Sequence, residues 1–278
     1  MKLSLCTVTY NELHNKLPRL LYSIERFIGD GYHEHLIWDN NEDDNTYNWL
    51  LEMQKREPRI KVFHGGKNRY DLPAYNEIAR LCGADILLAI NPNTRILSDV
   101  DIESLLKPFQ NNNKLMLLGR PGPHVKRENA TPHGVGGWGW VARLLTERDF
   151  WEEGDIDTSH VQTWCFLFDR KKFLEVGGFQ FRNQLFDMRW PEKRHEEKPI
   201  DFQDKGLMIS AEIELSVRAK RTGNEIAYMD PWPFYHYFSH GKVTPGQLDK
   251  GDVKYGFVPL GYEFGMYGED KFLKDMDS

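Results

Sequence analysis

The chain has 278 residues, a formal net charge of −6, 40% hydrophobic residues and 13% aromatic residues. This length suits one large α/β domain or two small ones, and the apolar content excludes disorder as the default state. The negative charge argues against a protein that binds nucleic acid by bulk electrostatics, although it leaves room for a local basic groove.

The cysteines and the hydropathy of the chain predict the cellular compartment of the protein. Cys6, Cys82 and Cys165 lie in apolar segments without metal-ligand spacing, so we expect buried thiols in a reducing environment. No signal peptide opens the chain, and no apolar run is long enough to cross a bilayer. We therefore expect a soluble, cytoplasmic protein with no transmembrane segment.

The first 98 residues predict strands that alternate with helices. The predicted strands are Leu3–Thr9, His35–Trp38, Ile60–Phe63 and Ala84–Ile90, and the predicted helices are Leu17–Ile28, Tyr47–Lys55 and Pro73–Leu81. Each connection is long enough for a right-handed crossover, which predicts a doubly wound parallel sheet that binds a nucleotide.

The stretch Ala84–Ile96 is the most informative. Ile86–Ile90 is an unbroken apolar run, typical of a strand buried on both faces of a parallel sheet. Asn91, Pro92 and Asn93 follow directly as a polar turn. Because ligands of open α/β sheets bind just past the carboxyl ends of the strands, we expect the chemistry to gather at this turn.

The second half is less regular and shows no linker that would divide the chain. Its predicted elements are helices Val100–Phe109, Arg170–Val176 and Ile209–Arg221, and strands Leu115–Gly119, Val161–Phe168 and Glu225–Met229. Residues 241–278 carry little periodicity and are interpreted as a C-terminal extension.

The familiar phosphate-binding motifs, GxxxxGK[ST] and GxGxxG, are missing. Polar residues instead follow successive strands. Each one alone is typical of an ordinary turn, but together, at one sheet edge, they favour a nucleotide site. They are Thr7, Asn11, Asp39, Asn68 and Asn93.

Six segments, in this order and spacing, resemble the family-2 type of GT-A glycosyltransferases: CTVTYNE, IWDNNEDD, NRYDLPAYN, LLAINPNT, TWCFLFDRKKFLEVGGF and AEIELSVRAKRTGNEIAYM. The resemblance implies a GT-A type α/β fold. Residues 1–98 would form a Rossmann-like nucleotide-sugar-binding sheet, continuous with an acceptor-binding and catalytic half at 99–240. It further implies a hexosyltransferase that moves a sugar, with inversion, from a nucleotide-sugar donor (a UDP-sugar first) to a hydroxyl.

The resemblance also implies which residues bind the donor. They are Thr7, Asn11, Asp39, Asn68, Asn76 and Asn91. Thr7 and Asp39 would contact the base and ribose, while Asn68 and Asn76 would line the nucleotide side of the pocket.

By the same resemblance, the turn Asn91–Asn93 matches the Asp-x-Asp element that holds a divalent cation, Mn²⁺ or Mg²⁺, against the diphosphate. Asn93 and His236 would be the metal ligands. Both acidic positions are Asn here, and an amide oxygen brings no charge, so the affinity for the ion should drop. Either the ion is held weakly, or a cationic side chain takes its place.

The candidate general base follows from helix geometry. Glu214 lies four residues before Arg218, the favourable order for an ion pair. That assignment leaves Glu212 unpaired in the first turn, where the helix dipole favours its ionised form. Such a carboxylate can deprotonate an acceptor hydroxyl, and Glu212 falls on the family's base position, usually Asp.

The acceptor is the least determined part. Residues 182–206 form a segment longer than the family usually carries, and Trp190, Lys193 and Arg194 within it are either an acceptor clamp or a solvated loop. A glycan or glycolipid precursor is the first hypothesis. The alternatives are a hydroxylated base of modified DNA, read as a flipped nucleotide, or a catalytically silent sugar-nucleotide binder.

Overall fold

The structure is a computed structural model that describes residues 1–13, 16–66, 71–121, 159–179 and 211–236. The helices in these ranges are α1 (Lys16–Phe27), α2 (Asn45–Arg56), α3 (Asp71–Leu81), α4 (Ile102–Asn111), α5 (Arg170–Glu175) and α6 (Ala211–Arg221). The strands are β1 (Leu3–Thr9), β2 (His35–Asp39), β3 (Ile60–His64), β4 (Ile86–Ile90), β5 (Thr94–Ile96), β6 (Leu115–Pro121), β7 (Val161–Asp169), β8 (Glu225–Tyr228) and β9 (Phe234–His236).

A mixed sheet of seven strands forms the centre of the described part, in the order β3-β2-β1-β4-β7-β6-β8. Strands β3, β2, β1 and β4 are mutually parallel, as predicted for the first half. Strand β4, however, has an antiparallel neighbour, β7. The expectation of a purely parallel surrounding for β4 was wrong, because an apolar run reports burial on both faces and not the direction of the neighbouring strand.

Alternating residues of β4 enter two separate cores, one on each face of the sheet. Leu87 and Ala89 join the core beneath α3, α5 and α6, whereas Ile86, Leu88 and Ile90 join the core beneath α1 and α4. The strand is fully buried on both faces, so its carboxyl end, where the polar turn begins, is held firmly in place.

A second, two-stranded sheet pairs β5 with β9. It was not predicted, because three-residue strands are too short to show a hydrophobic period. The pairing sets the backbone of His236 opposite Thr94, beside the turn that follows β4. The side chain of His236 lies outside what the structure describes.

Burial of the cysteines agrees with the sequence analysis: Cys6, Cys82 and Cys165 are buried thiols. Burial raises the pKa of Cys6 and of Cys165 well above the ordinary range. Within the described ranges, no helix combines the length and the apolar composition that crossing a membrane requires.

Side chains of two helices bind the turn that follows α5 and ends at Phe179. From α3, the Asn76 amide donates to the Phe179 carbonyl and accepts from the Phe179 N–H, both at 2.8 Å. From α6, the Arg218 guanidinium donates to the carbonyls of Val176 and Gly178. Gly178 has φ of +63°, and a Cβ there would lie 2.4 Å from Asn76 Oδ1, so glycine is required. This double attachment fixes α6 relative to α3.

We predict that Asn76→Ala lowers the free energy of unfolding by about 2 kcal/mol, because the buried N–H and C=O of Phe179 both lose their partner. Urea denaturation followed by circular dichroism measures the change. Asn48→Ala, at an exposed position of α2, is the control. A free energy of unfolding for Asn76→Ala within about 0.5 kcal/mol of wild type would contradict this account of the turn.

Candidate active site

At the end of β2, Asp39 is fully buried and forms the centre of a polar network. Its Oδ1 accepts from the backbone N–H of Asn41 at 3.1 Å and from the Asn41 side-chain amide. Asn41 Oδ1 in turn accepts from the backbone N–H of Asn11 at 2.9 Å. Asn11 has φ of +57°, a left-handed conformation that Asn tolerates better than most residues.

The other oxygen of Asp39, Oδ2, lies 3.4 Å from His64 Nδ1 and makes no hydrogen bond within the described ranges. Burial raises the pKa of Asp39, while the bonds from Asn41 and the neighbouring His64 lower it. Asp39 is thus buried beneath polar partners, and its predicted contact with the base and ribose stays a prediction.

Two of the predicted donor-binding residues have other partners. Thr7 is fully buried within β1, and its hydroxyl lies 2.9 Å from His35 Nε2. Burial lowers the pKa of His35 to about 3, so this pair is neutral. Asn76 uses both ends of its amide on Phe179. Both side chains are thus engaged inside the protein, which strand ends and local polarity do not reveal, and their nucleotide contacts stay predictions.

The turn after β4 is held by bonds to two elements. The Asn91 N–H donates to the Trp164 carbonyl of β7 at 2.9 Å, and Thr94 N–H donates to the Asn91 carbonyl at 2.9 Å. The hydroxyl of Tyr75, on α3, donates to Asn91 Oδ1 at 2.8 Å. Burial raises the pKa of Tyr75 well above its usual value, so the hydroxyl keeps its proton for this bond.

Asn93 and Arg95 complete the turn. Asn93 Oδ1 is buried and makes no hydrogen bond to any residue that the structure describes. Arg95 is only 4% exposed, and its Nη1 donates to the carbonyls of Pro92 at 3.0 Å and Thr94 at 2.7 Å. A guanidinium is thereby fixed directly against the backbone of the turn.

Within the described residues, Asn91 and Asn93 do not by themselves provide the ligands of the divalent cation that the resemblance implies. A hard cation needs several outward-facing oxygens, preferably charged. The turn offers two neutral amides, and their oxygens face inward, that of Asn91 onto Tyr75 and that of Asn93 into the protein interior. In the described part of the chain, no three His, Cys, Asp or Glu side chains come together to hold a metal ion.

Glu212 lies in the first turn of α6, with its side chain 13% exposed. Its Oε2 accepts from the Thr163 N–H at 3.2 Å and from the Thr163 hydroxyl at 2.9 Å. Its Oε1 lies 3.8 Å from Nε2 of the fully buried His160. One carboxylate oxygen is therefore engaged by β7, and the other faces the imidazole.

Burial raises the pKa of Glu212 to about 7. The two bonds from Thr163 act in the opposite direction, and the charge of Asp71 raises the value further. The expectation that Glu212 is unpaired was wrong, and burial opposes the ionised form that the helix dipole was expected to favour. Thr163 is its partner, and the cost of burying a carboxylate outweighs a dipole effect that is worth about 1 kcal/mol or less at an exposed site.

Strand β7 brings the two parts of the site together. Its neighbouring residues Thr163 and Trp164 bind Glu212 and Asn91, respectively. Helices α3 and α6 pack against the same core, and the charge of Asp71 raises the pKa of both Glu212 and Tyr75. Adjacent residues of β7 thus hold the carboxyl of Glu212 and the polar turn after β4.

Sequence reasoning missed several residues of this site. Asp71 and Tyr75 lay in a segment already compared with the family, but nothing in their spacing showed the contacts they make. The missed residues are Asp71, Tyr75, Arg95, His160 and Thr163.

Four predicted site residues fall outside the described ranges and remain predictions. They are Asn68, Trp190, Lys193 and Arg194.

Two solved structures show the same fold. GalNAc-T7 with UDP, GalNAc and Mn²⁺ matches with a TM-score of 0.58 and 13% identity, covering 99% of this chain and 54% of the other. The mannosyltransferase PcManGT from Pyrobaculum calidifontis, in complex with GDP-Man and Mn²⁺, matches with a TM-score of 0.51 and 12% identity, covering 83% of this chain and 55% of the other. The chain thus spans about half the length of both proteins, and the likeness establishes a GT-A fold.

Comparison with curated protein sequences finds no match. The profile described as glycosyl transferase family 2 matches residues 4–177, from β1 to the turn after α5. This region includes β2, the turn after β4, and both Thr163 and Trp164 of β7. The match covers more than half of the chain, and the chain belongs to glycosyl transferase family 2.

Proposed function

We propose that this glycosyltransferase moves a sugar from a nucleoside-diphosphate sugar to an acceptor hydroxyl, with Glu212 as the general base. The observation that carries the proposal is the environment of Glu212. Its carboxyl has a pKa of about 7 and is positioned by Thr163, one residue from the strand position that binds Asn91. A base whose pKa lies near the working pH combines a useful ionised fraction with real basicity.

In the proposed reaction, the two carboxylate oxygens of Glu212 have different roles. Oε2 stays hydrogen-bonded to Thr163, which fixes the carboxylate plane, and Oε1 accepts the proton of the acceptor hydroxyl. The acceptor oxygen bonds to the anomeric carbon while the bond from that carbon to the diphosphate oxygen breaks. Attack from the side opposite the leaving group inverts the anomeric configuration, and the nucleoside diphosphate departs with the electron pair of the broken bond.

The donor is proposed to be a UDP-sugar that carries a hexose. The matched structures contain UDP and GalNAc in one case and GDP-Man in the other, so GDP-sugars belong in the same test. Asn11 and Asn91 are the proposed donor contacts, since both lie at the carboxyl edge of the sheet and are not fully buried. Asp39 supports this edge through Asn41.

The acceptor is proposed to be a glycan or glycolipid precursor. Substrate trials with sugar hydroxyls, lipid-linked sugars and hydroxymethylated DNA separate this proposal from the nucleic-acid alternative. Nucleotide-sugar binding with no product from any acceptor, water included, would instead indicate the silent binder.

We predict that Glu212→Gln lowers the rate of UDP release from UDP-hexoses about 10²–10⁴-fold, because the amide cannot accept the acceptor's proton. The Kd for UDP, measured by calorimetry, should stay within about threefold of wild type, since this side chain acts on the acceptor side. A coupled assay for free UDP, with water or a sugar as acceptor, gives the rate.

Glu77→Gln, at an exposed position of α3, is the matched control and should keep the wild-type rate. The wild-type rate should also fall below a pKa near 7 as Glu212 becomes protonated. An unchanged rate in Glu212→Gln would remove Glu212 from the mechanism.

The raised pKa of Glu212 can be tested without a substrate. Its pKa is raised from the usual 4.5 to about 7 in the folded chain, so between these values the folded state holds a proton that the unfolded state has lost. The contribution of Glu212 to stability therefore falls as the pH rises through this window and is constant above it.

Relative to wild type, Glu212→Gln should accordingly gain roughly 2–3 kcal/mol in free energy of unfolding between pH 4.5 and pH 8. Urea titrations of both proteins at several pH values measure the difference, and the other titrating groups cancel in the comparison. A difference between the two proteins that does not change with pH would show that Glu212 has an ordinary pKa.

A further inference from the structure

His64 lies between two carboxylates at the carboxyl edge of the sheet. Its Nδ1 is 3.4 Å from Oδ2 of Asp39, and its Nε2 is 3.6 Å from Oδ1 of Asp44. The side chain of Asp39 is fully buried, that of His64 is 22% exposed and that of Asp44 is 73% exposed. These three side chains, which we call the acid–imidazole row, therefore lead from the protein interior to its surface.

The backbone fixes the inner pair of this row. Asp39 and His64 are paired in register at the ends of the parallel strands β2 and β3, so their side chains point to the same face of the sheet. The N–H of Gly65, the next residue in the chain, donates to the Asp39 carbonyl at 2.7 Å. These contacts keep the imidazole beside the buried carboxylate.

The outer carboxylate belongs to the residue that begins α2. Asp44 is the N-cap of this helix, a position where an Asp side chain ordinarily accepts from a backbone N–H of the first turn. Here the carboxylate makes no such capping bond and faces His64 instead. Tyr47, in the first turn of α2, also contacts the imidazole, with ring centroids 4.9 Å apart. The start of α2 is thus joined to the sheet edge through His64.

The acid–imidazole row is complete only when His64 is an imidazolium. Ionised carboxylates only accept, and a neutral imidazole carries one N–H, so a neutral ring would turn a lone pair towards one of the two carboxylates. An imidazolium offers an N–H to both and brings a positive charge beside the buried Asp39, whose carboxylate is costly to bury without one. In the described part of the chain, the titratable residues that contact the ring are Asp39 of β2, Asp44, and Tyr47 of α2, and none of them is basic.

Hydrogen bonds connect Asp39 to Asn11, one of the proposed donor contacts. Asp39 Oδ1 accepts from the backbone N–H and the side-chain amide of Asn41, and Asn41 Oδ1 accepts from the Asn11 N–H at 2.9 Å. An ionised carboxylate is the stronger acceptor, so the charge of Asp39 strengthens the bonds that orient Asn41 and, through it, Asn11. Burial raises the pKa of Asp39, whereas the bonds from Asn41 and the neighbouring His64 lower it. A counter-charge on His64 therefore favours the form of Asp39 that orders this edge.

We infer that His64 is the counter-ion of Asp39 and a positioning residue of the donor site, and that nucleotide binding is coupled to the uptake of a proton from solvent by this imidazole. The inference rests on the proposed function, since it concerns regulation of the edge where the donor binds. The protonated form of His64 keeps Asp39 ionised and Asn11 oriented, and so it binds the donor more tightly. By linkage, the bound donor favours the protonated form to the same extent. Donor affinity should therefore fall as the pH rises and His64 loses its proton.

Calorimetry of UDP and GDP binding to the full chain, with Mn²⁺ present, measures proton uptake when it is repeated in two buffers of different ionisation enthalpy. At about pH 7.5, wild type should take up roughly 0.3 proton or more beyond His64→Gln, whose side chain keeps a hydrogen-bond donor but cannot hold the charge. Protons bound by the nucleotide or by Glu212 cancel in this comparison. His33→Gln, at an exposed position outside the row, is the matched control and should behave like wild type.

Equal proton uptake by wild type and His64→Gln overturns the inference and leaves the proposed function intact. If wild type binds neither nucleotide, the proposed function fails together with the inference.

Steady-state kinetics separate a positioning role from a general loss of structure. His64→Gln should raise the Kd of the nucleotide and the KM of the donor about fivefold to tenfold, with kcat within about threefold of wild type, because His64 acts on the donor side. Circular dichroism checks that the variant is folded. An unchanged KM, or a loss confined to kcat, overturns the positioning role.

Asp44→Asn tests the outer end of the row at an exposed position, and it decides the matter if His64→Gln does not fold. With one carboxylate removed, the ring ¹⁵N shifts of His64 should move towards those of neutral imidazole, and UDP should bind about threefold more weakly. Glu42→Gln, which removes an exposed acid two residues earlier, is the matched control and should change neither quantity. If Asp44→Asn behaves like Glu42→Gln in both measurements, the inference is overturned.

Discussion

The antiparallel pairing of β7 with β4 is the constraint on which the site depends. It runs from Ile86 opposite Asp169 to Ile90 opposite Cys165, deep between two apolar cores. Past the paired segment, Trp164 binds the start of the polar turn and Thr163 binds Glu212. Because β7 pairs with the buried strand β4, it holds Glu212 and the turn after β4 in fixed positions, although the two lie far apart in the chain.

Burial also decides the chemistry of the ionisable groups along this edge. Glu212 and Asp71 both have their pKa raised mainly by burial, and Tyr75 is kept protonated for the same reason. The carboxyl of Glu212 therefore has a pKa of about 7, and the hydroxyl of Tyr75 acts as a hydrogen-bond donor. At the turn, Arg95 lies beside two amides whose oxygens face inward.

The local sequence pattern was sufficient to predict most of the helices and strands. The alternation of strands and helices up to Ile90 predicted the parallel order of β3, β2, β1 and β4, and the unbroken apolar run predicted the buried strand. The site needed contacts between distant segments, which no local pattern records. Thr163 lies 49 positions before Glu212, and Phe179 lies 103 positions after Asn76. These contacts pair and bury Glu212, which was predicted to be unpaired, and they engage both ends of the Asn76 amide.

A crystal structure of the full chain with a nucleotide-sugar bound shows whether Glu212 and the turn after β4 belong to one site. We expect the diphosphate against the turn formed by Asn91 and Asn93, and the anomeric carbon on the side of Glu212 Oε1. If the nucleotide binds at another edge of the sheet, or if β7 separates the sugar from Glu212, Glu212 is not the general base of this enzyme.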